Sequence, residues 1–381
     1  MKIGINLLFL LPNEVGGTET YSVELLRKIL ALKHNFILFT NSLNHDIFLD
    51  SPTIQKKMIK YSARNKFIRV FHEQHTIPKL CKKYDIDVLF SPGYTSPINI
   101  RCATVVTIPD LQYKHYSHYL SLFKRFFWEI TIPRSIKRCE RVVTISNNSL
   151  KELKKFFPKY SSKYRMVYPA VRDKWMGYKF DKDSIEKTKI KYNLAKPYLL
   201  SVATMLPHKN LYTLLKAFSL TIKEFPNLEL LLVGKGSKNK KCSKLIKELK
   251  IENNIKLLGY VNACELPVLY KEATAYAFPS LFEGFGFPLV EAQNFGCPVV
   301  SSISTCLPEI GKDGALYFNP LDAIDIHNKI RDVLKNDSLR KQLINNGFQN
   351  IKRFSWEESA RDMIRIFQEA YIEHKNKVMS F

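Results

Sequence analysis

The sequence holds no apolar run long enough to span a bilayer. Its apolar start, Met1 to Leu11, has the length of a signal-peptide core. Pro12-Asn13-Glu14 stands where small residues should mark a cleavage site, so a buried first strand is the better reading. There is no Cys-x-x-Cys pair. The seven cysteines (81, 102, 139, 242, 264, 297 and 306) are odd in number and widely spaced. That pattern argues against a disulfide framework or a zinc site, and for reduced thiols in a cytosolic protein. Neither the dinucleotide fingerprint nor the phosphate-binding P-loop occurs, and no recognised nucleic-acid module is present. Acids are also short: 35 against 59 basic residues leave a net charge of +24. Such a surface attracts polyanions, whether nucleic acid, an anionic membrane or phosphorylated substrates.

What is present is a long, well-packed chain. At 381 residues it exceeds what one core usually supports, and 45% hydrophobic with 12% aromatic residues favours globular domains over disorder. Apolar strands alternate with helices in both halves. In the first half the strands are residues 2–9, 36–40, 87–91, 104–109, 142–146 and 165–171. In the second they are 198–204, 228–234, 255–261, 274–278 and 298–302. This alternation predicts an α/β protein with two doubly wound, Rossmann-like parallel sheets. The expected domains are 1–175 and 176–355, with a connection in the polar stretch 172–196 and a final helix over 356–381. The first helix is expected from Thr20 to Lys33.

The most informative stretch is 273–322. Residues 274–278 suit a buried strand, Pro279 and Ser280 end it, and Glu283-Gly284-Phe285-Gly286-Phe287 forms a glycine loop. A helix should start near Pro288 and end at Gly296. The loop therefore turns backbone N–H groups and a helix N-terminus toward the carboxyl edge of a parallel sheet, where phosphates bind. Glu283 and Glu291, with seven residues between them, stand across that loop and can face one small cleft. Carboxylates beside an anion site make sense as acceptors for sugar hydroxyls.

Elsewhere, Gly16-Gly17 precedes the first helix and brings backbone close to a ligand. Asp110 ends a strand. Lys209 sits at a strand's carboxyl edge and at the start of a helix, where an ammonium complements a diphosphate. Asp85-Ile86-Asp87 lies at the entrance of a strand and reads as polar capping. From Lys114 to Arg141, aromatic and basic residues interleave at helical spacing. The bland reading is a core helix with a solvated basic face. The sharper one is a surface that rests on anionic lipid headgroups, and single-stranded nucleic acid ranks third.

The segment through Leu307-Pro308-Glu309 and Asn319-Pro320-Leu321-Asp322 resembles the retaining glycosyltransferases of family 4, with their Glu-(seven residues)-Glu motif. The resemblance covers the whole chain, most strongly 198–322. It implies the GT-B fold, two Rossmann-like domains facing a cleft, with the last helix crossing back to the first domain. It further implies that Glu291 accepts hydrogen bonds from the nucleotide ribose and that Glu283 holds sugar hydroxyls beside the N–H groups of Gly286 and Phe287. Catalytic residues are then Glu283, Lys209 and Asp110. Donor contacts are Gly16, Gly17, Thr204, His208, Lys209, Gly234, Tyr260, Glu283, Gly284, Phe285, Gly286, Phe287 and Glu291.

The pattern departs from the family twice. Pro109 stands where many members carry a histidine, with His115 and His118 nearby, and His208 replaces an arginine. One cation is lost from the leaving-group clamp unless His208 is protonated or Lys235 or Lys238 assists. No metal and no other cofactor is expected. The expected partners are a GDP- or UDP-linked sugar, mannose favoured, a glycan or lipid-linked acceptor, and an anionic membrane surface, with no specific nucleic acid. The chain is placed in the cytoplasm, peripheral on the inner face of the membrane. The rival readings are a sugar-nucleotide epimerase or hydrolase of the same fold, and a non-catalytic nucleotide-sugar-binding protein.

Overall fold

A computed structural model describes residues 1–12, 16–236 and 240–380. The chain divides into two compact units, Met1–Pro169 with Ser355–Phe381, and Ala170–Phe354. Each is built on one wholly parallel sheet covered on both faces by helices.

The first unit carries β1 (Lys2–Asn6), β2 (Asn35–Thr40), β3 (Ile54–Met58), β4 (Val88–Ser91), β5 (Ala103–Thr107), β6 (Arg141–Thr144) and β7 (Tyr164–Met166). Their order is β3-β2-β1-β4-β5-β6-β7. The central strands are buried on both sides, as parallel strands between two helical layers must be, and so read as continuous apolar runs. The edge strand β3, Ile54-Gln-Lys-Lys-Met, has no such run and was not expected from the sequence. Nor was the nearly continuous helical stretch from Lys66 to Lys83, which includes a π-helical turn at His72–Thr76. The first helix runs Gly17–Leu30, earlier than the expected Thr20 to Lys33. Asp87 ties the entrance of β4 to β1 by accepting the Lys2 N–H at 2.8 Å.

The core-helix reading of the aromatic and basic stretch is corrected. In the helix Leu122–Arg138 only Ile132, Ser135 and Ile136 are buried, all in its second half. Tyr119, Leu122, Phe123 and Phe126 are exposed.

The helix Trp356–Met379 belongs to the first unit. Ser355 caps it by accepting the Glu358 N–H. Its Phe367 ring meets Phe90 of β4 at 5.2 Å, and Trp356 meets Tyr21 at 6.3 Å. Arg141 and Arg165 both donate to Glu369 at 2.9 Å, and Arg141 also pairs with Glu373. The return of this helix to the first sheet is therefore held by a buried aromatic face and a charged rim.

The second unit carries β8 (Tyr198–Val202), β9 (Glu229–Val233), β10 (Ile255–Gly259), β11 (Ala275–Phe278), β12 (Val299–Ser302) and β13 (Ala315–Phe318), in the order β10-β9-β8-β11-β12-β13. Leu211, Leu214, Leu215 and Phe218 recur at helical spacing and bury the helix Leu211–Glu224 against this sheet. The polar stretch expected as a connection, 172–196, instead holds the helix Lys182–Tyr192 within this unit, and the division falls between Pro169 and Ala170.

In each sheet the strand order reverses once, between β1 and β4 and between β8 and β11. Connections leave such neighbouring strands in opposite directions, opening a crevice at their carboxyl ends. The sequence-expected residues fall on these edges.

Candidate active site

The loop after β11 and the turn after β8 meet at the switch point of the second sheet. After β8, Pro207–Lys209 makes a tight turn closed by Asn210, which takes a left-handed conformation (φ 55°) and starts the helix Leu211–Glu224. The Asn210 side chain donates to Pro279 O (3.1 Å) and Pro320 O (2.7 Å), and Leu281 N donates to His208 O (2.7 Å). These bonds lash the turn after β8 to the loops after β11 and β13. Lys209 Nζ then donates to Glu283 Oε1 at 2.6 Å, and Ser280 Oγ donates to the same oxygen at 2.6 Å. Glu283 N donates to Thr305 Oγ1 at 3.1 Å, fixing the carboxylate from its backbone side.

Gly286 caps the helix Phe287–Asn294 in the left-handed region, φ 91°. A Cβ there would lie 2.8 Å from Leu307 Cδ2, so both the conformation and the space demand glycine. Gly284 and Phe285 are buried and Phe287 is half-buried, with the Phe285 and Phe287 rings 5.2 Å apart. The helix starts at the place the sequence indicated, and Gly296 follows its end with φ 68°.

Glu291, on the second turn, is buried. Tyr270 Oη donates to its Oε2 at 3.1 Å, and Arg172 Nε lies 3.9 Å from its Oε1. The Arg172 guanidinium stacks over Trp175 at 5.2 Å. Burial pushes the Glu291 carboxyl up, with Arg172 and the Tyr270 hydroxyl opposing. Glu283 and Glu291 thus use different partners. What joins them is Tyr276, whose phenol is raised by burial and then by the charges of Glu291 and Glu283. Its ring lies within electrostatic reach of both acids.

His208 corrects an expectation. It is buried, and burial together with the adjacent Lys209 charge lowers its pKa to about 4 against a weaker upward pull from Glu283. At neutral pH it carries no charge, so it does not replace the missing arginine as a cation.

The neighbouring strand ends carry the remaining residues expected on the donor side. Thr204 is exposed at the end of β8. Gly234 follows β9 with φ 139°, and a Cβ there would strike Ala203 O at 2.1 Å. Gly234 N donates to Gly259 O at 2.7 Å, and Met205 N to Lys235 O at 3.1 Å, so three strand ends are cross-braced. Tyr260 stands beyond β10, 65% exposed. Lys235 is exposed on the same edge, whereas Lys238 lies outside the described residues.

The other expected residues lie beyond strand ends of the first sheet. Gly16 caps the first helix with φ 62°, and Gly17 is its first residue; Asn13 to Val15 lie outside the described residues. Asp110, beyond β5, accepts the Gln112 N–H at 3.0 Å and contacts the Tyr94 phenol, whose pKa burial and then Asp110 raise. Tyr94 itself is held in the left-handed region, φ 64°, with its N–H on Thr107 O at 2.9 Å and its ring 5.4 Å from Trp128. A tyrosine in this conformation is strained, and such strain clusters where a side chain must be aimed. His115 pairs with Glu152, and the His118 ring lies tilted against Tyr119 at 4.1 Å.

Sequence reasoning missed several partners. Ser280, Thr305, Arg172, Tyr270 and Tyr94 orient the acids, and only Ser280, inside the Pro-Ser motif, carried a local signal. It also missed the network under β1 and β4. There Asn6 Nδ2 lies 3.4 Å from Glu73 Oε2 and 3.5 Å from Ser91 Oγ, and Ser91 Oγ donates to Ser96 Oγ at 3.4 Å. Glu73 is buried on the π-helical turn, and burial raises its carboxyl despite the opposing Arg69 charge.

Two family models match consecutive parts of the chain: glycosyltransferase family 4 over residues 15–175 and glycosyl transferases group 1 over residues 183–350. The chain is 30% identical over 300 residues to an O-antigen chain mannosyltransferase B of Escherichia coli, covering 75% of each. It is a family 4 glycosyltransferase. A more distant relative spans nearly the full length: the N-acetylgalactosamine-N,N'-diacetylbacillosaminyl-diphospho-undecaprenol 4-alpha-N-acetylgalactosaminyltransferase of Campylobacter jejuni. That enzyme is 26% identical, over 96% of this chain and 98% of its own. Among solved structures, a sucrose-phosphate synthase from Thermosynechococcus elongatus superposes with a TM-score of 0.78 at 19% identity, over 98% of this chain and 100% of that one. This likeness shows the GT-B fold. In the glycosyltransferase, the family's two glutamates are thus built into separate hydrogen-bond sets beside one switch point.

Proposed function

We propose that this glycosyltransferase moves a hexose, with mannose favoured, from a nucleotide diphosphate sugar to a glycan or lipid-linked acceptor, with retention at the anomeric carbon. The observation that carries the reading is the Lys209–Glu283 pair at the β8/β11 switch point, 2.6 Å apart beside two helix N-termini. The mannosyl donor is favoured by the Escherichia coli relative, and the lipid-linked acceptor by the Campylobacter one. The O-antigen relative favours surface polysaccharide synthesis, and the lipid-linked acceptor class favours a peripheral location on the cytoplasmic face of a membrane. The base of the donor, GDP or UDP, is left to the binding panel described below.

The reaction breaks the bond between the anomeric carbon and a diphosphate oxygen, whose electron pair stays on the diphosphate. The ammonium of Lys209 and the N-termini of the helices Leu211–Glu224 and Phe287–Asn294 supply positive potential there. With that charge provided by the chain, we expect transfer to need no divalent ion. Glu283 holds sugar hydroxyls, Glu291 holds the ribose, and exposed Tyr260 lies on the base side. The acceptor oxygen bonds to the anomeric carbon on the face the diphosphate leaves, and a diphosphate oxygen takes the acceptor proton. Asp110, held by Tyr94, is the residue of the first unit to which we assign a catalytic role.

Transfer assayed with mannosyl donors and a lipid-linked acceptor pool tests the reading. Glu283→Ala abolishes transfer if the assignment holds; full transfer by that variant overturns it. Sugar release or epimer formation without acceptor instead identifies a hydrolase or epimerase, and tight donor binding without turnover identifies a binding protein.

A further inference from the structure

Two helices far apart in sequence form one exposed surface on the first unit. The short helix Lys66–Phe71 is capped by Asn65, whose side-chain oxygen accepts the N–H groups of Phe67 (3.1 Å) and Ile68 (3.2 Å). The helix Leu122–Arg138 is capped by Ser121, which accepts the Lys124 N–H. They touch through Phe67 and Phe123, whose ring centroids lie 5.0 Å apart. Around that contact Phe71, Leu122 and Phe126 also face water, with Leu122 84% and Phe67 67% exposed. Single exposed apolar residues are ordinary, but five large ones around one contact mark an interaction surface.

The charge around the rings selects the partner. Lys66, Lys124 and Arg125 are exposed and form no ion pair among the described residues. Lys66 has its pKa lowered by burial and then by the neighbouring charges of Lys124 and Arg69, so like charges crowd together here. A second copy of the chain would bring these cations against themselves, which disfavours a symmetric dimer on this face. A layer that accepts rings at its apolar boundary and cations at its phosphates satisfies both halves of the surface.

We propose that the two-helix surface of Phe67, Phe71, Leu122, Phe123 and Phe126 docks on an anionic lipid bilayer, its rings entering the interface while Lys66, Lys124 and Arg125 meet lipid phosphates. The proposal rests on the transferase reading only for its reason to visit a membrane, and lipid binding is measured without turnover. Either can therefore fail without the other.

The test is co-sedimentation of the full chain with vesicles of phosphatidylcholine alone and of phosphatidylcholine with phosphatidylglycerol. The wild type binds the anionic vesicles. The Phe123→Ser/Phe126→Ser double variant, unchanged in charge, binds roughly tenfold or more weakly, since two rings' worth of interfacial burial is lost. Its thermal unfolding stays close to that of the wild type, because Phe126 is exposed and Phe123 gives up chiefly its ring contact with Phe67. Leu321→Ser, at an exposed apolar residue of the second unit, leaves vesicle binding unchanged. Equal binding by the double variant would reduce the effect to net charge and overturn the proposal. So would no binding by the wild type, a wild-type dimer that the substitution dissolves, or binding that follows single-stranded oligonucleotide and ignores vesicles.

Discussion

Replacing Lys209 by methionine removes the ammonium and keeps most of the side chain's bulk. In the ligand-free protein Lys209 Nζ lies 2.6 Å from Glu283 Oε1, with side-chain exposures of 19% and 11%. The pair is neither free in water nor fully desolvated. At an effective dielectric constant of about 20, one charge at about 4 Å contributes about 4 kcal/mol of gross interaction. Loss of one preorganised donor to developing negative charge typically costs about 3–4 kcal/mol, or about 10²–10³ in kcat. Lys209→Met should therefore lower kcat by about that factor, measured as nucleotide diphosphate release under saturating donor. Glu283→Gln releases the ammonium but loses the carboxylate proposed to accept sugar hydroxyls, so it too should fall. Because both groups serve one ion pair, the double variant should be less impaired than the product of the single effects. A Lys209→Met enzyme with kcat within about threefold of wild type would refute leaving-group stabilisation by this residue.

Three further outcomes follow from the geometry. His208 has a folded-state pKa of about 4 against an ordinary 6.5, so it withholds a proton that the unfolded chain takes up as pH falls. The stability it confers as a neutral ring is present above pH 6.5 and is lost progressively toward pH 4, by up to about 3 kcal/mol. Urea unfolding of His208→Gln across that range should show a flatter pH dependence than the wild type, and an unchanged slope would contradict the assignment. Tyr94→Phe removes the hydroxyl on Asp110, a hydrogen bond to a charged group worth about 1.5–3 kcal/mol, and should lower kcat with little change in donor KM. An equal rise in donor KM with kcat preserved would place Tyr94 outside the reacting centre. Chelation by EDTA should leave transfer unchanged, and loss restored by a divalent ion would assign part of the leaving-group charge to a metal.

Much of the second unit was legible because its signals are local. Ala275–Phe278 is a buried run, Gly286 and Gly296 bracket a short helix, and Pro288 opens it, so strand, loop and helix follow from neighbouring residues. The meeting of Lys209 with Glu283 was not legible. The two are 74 residues apart, and only the adjacency of β8 and β11 brings them together. The burial that keeps His208 neutral likewise depends on loops distant in sequence. In the first unit, β3 escaped notice because an edge strand can be polar. The helix Lys66–Phe71 escaped because its apolar residues face water and so leave no core periodicity. The same inversion misplaced Leu122, Phe123 and Phe126 when the interleaved stretch was read as a core helix.

The central claim is that the β8/β11 switch point, with Lys209 and Glu283, is a nucleotide diphosphate sugar site. Thermal unfolding of wild type and Lys209→Met with GDP, UDP, ADP and CMP tests it directly. At about 100 times Kd a bound nucleotide adds about 2.7 kcal/mol of stability. One diphosphate should raise the wild-type unfolding temperature well above the others and raise that of Lys209→Met much less. No shift with any of the nucleotides, or the same shift in both proteins, would contradict the account.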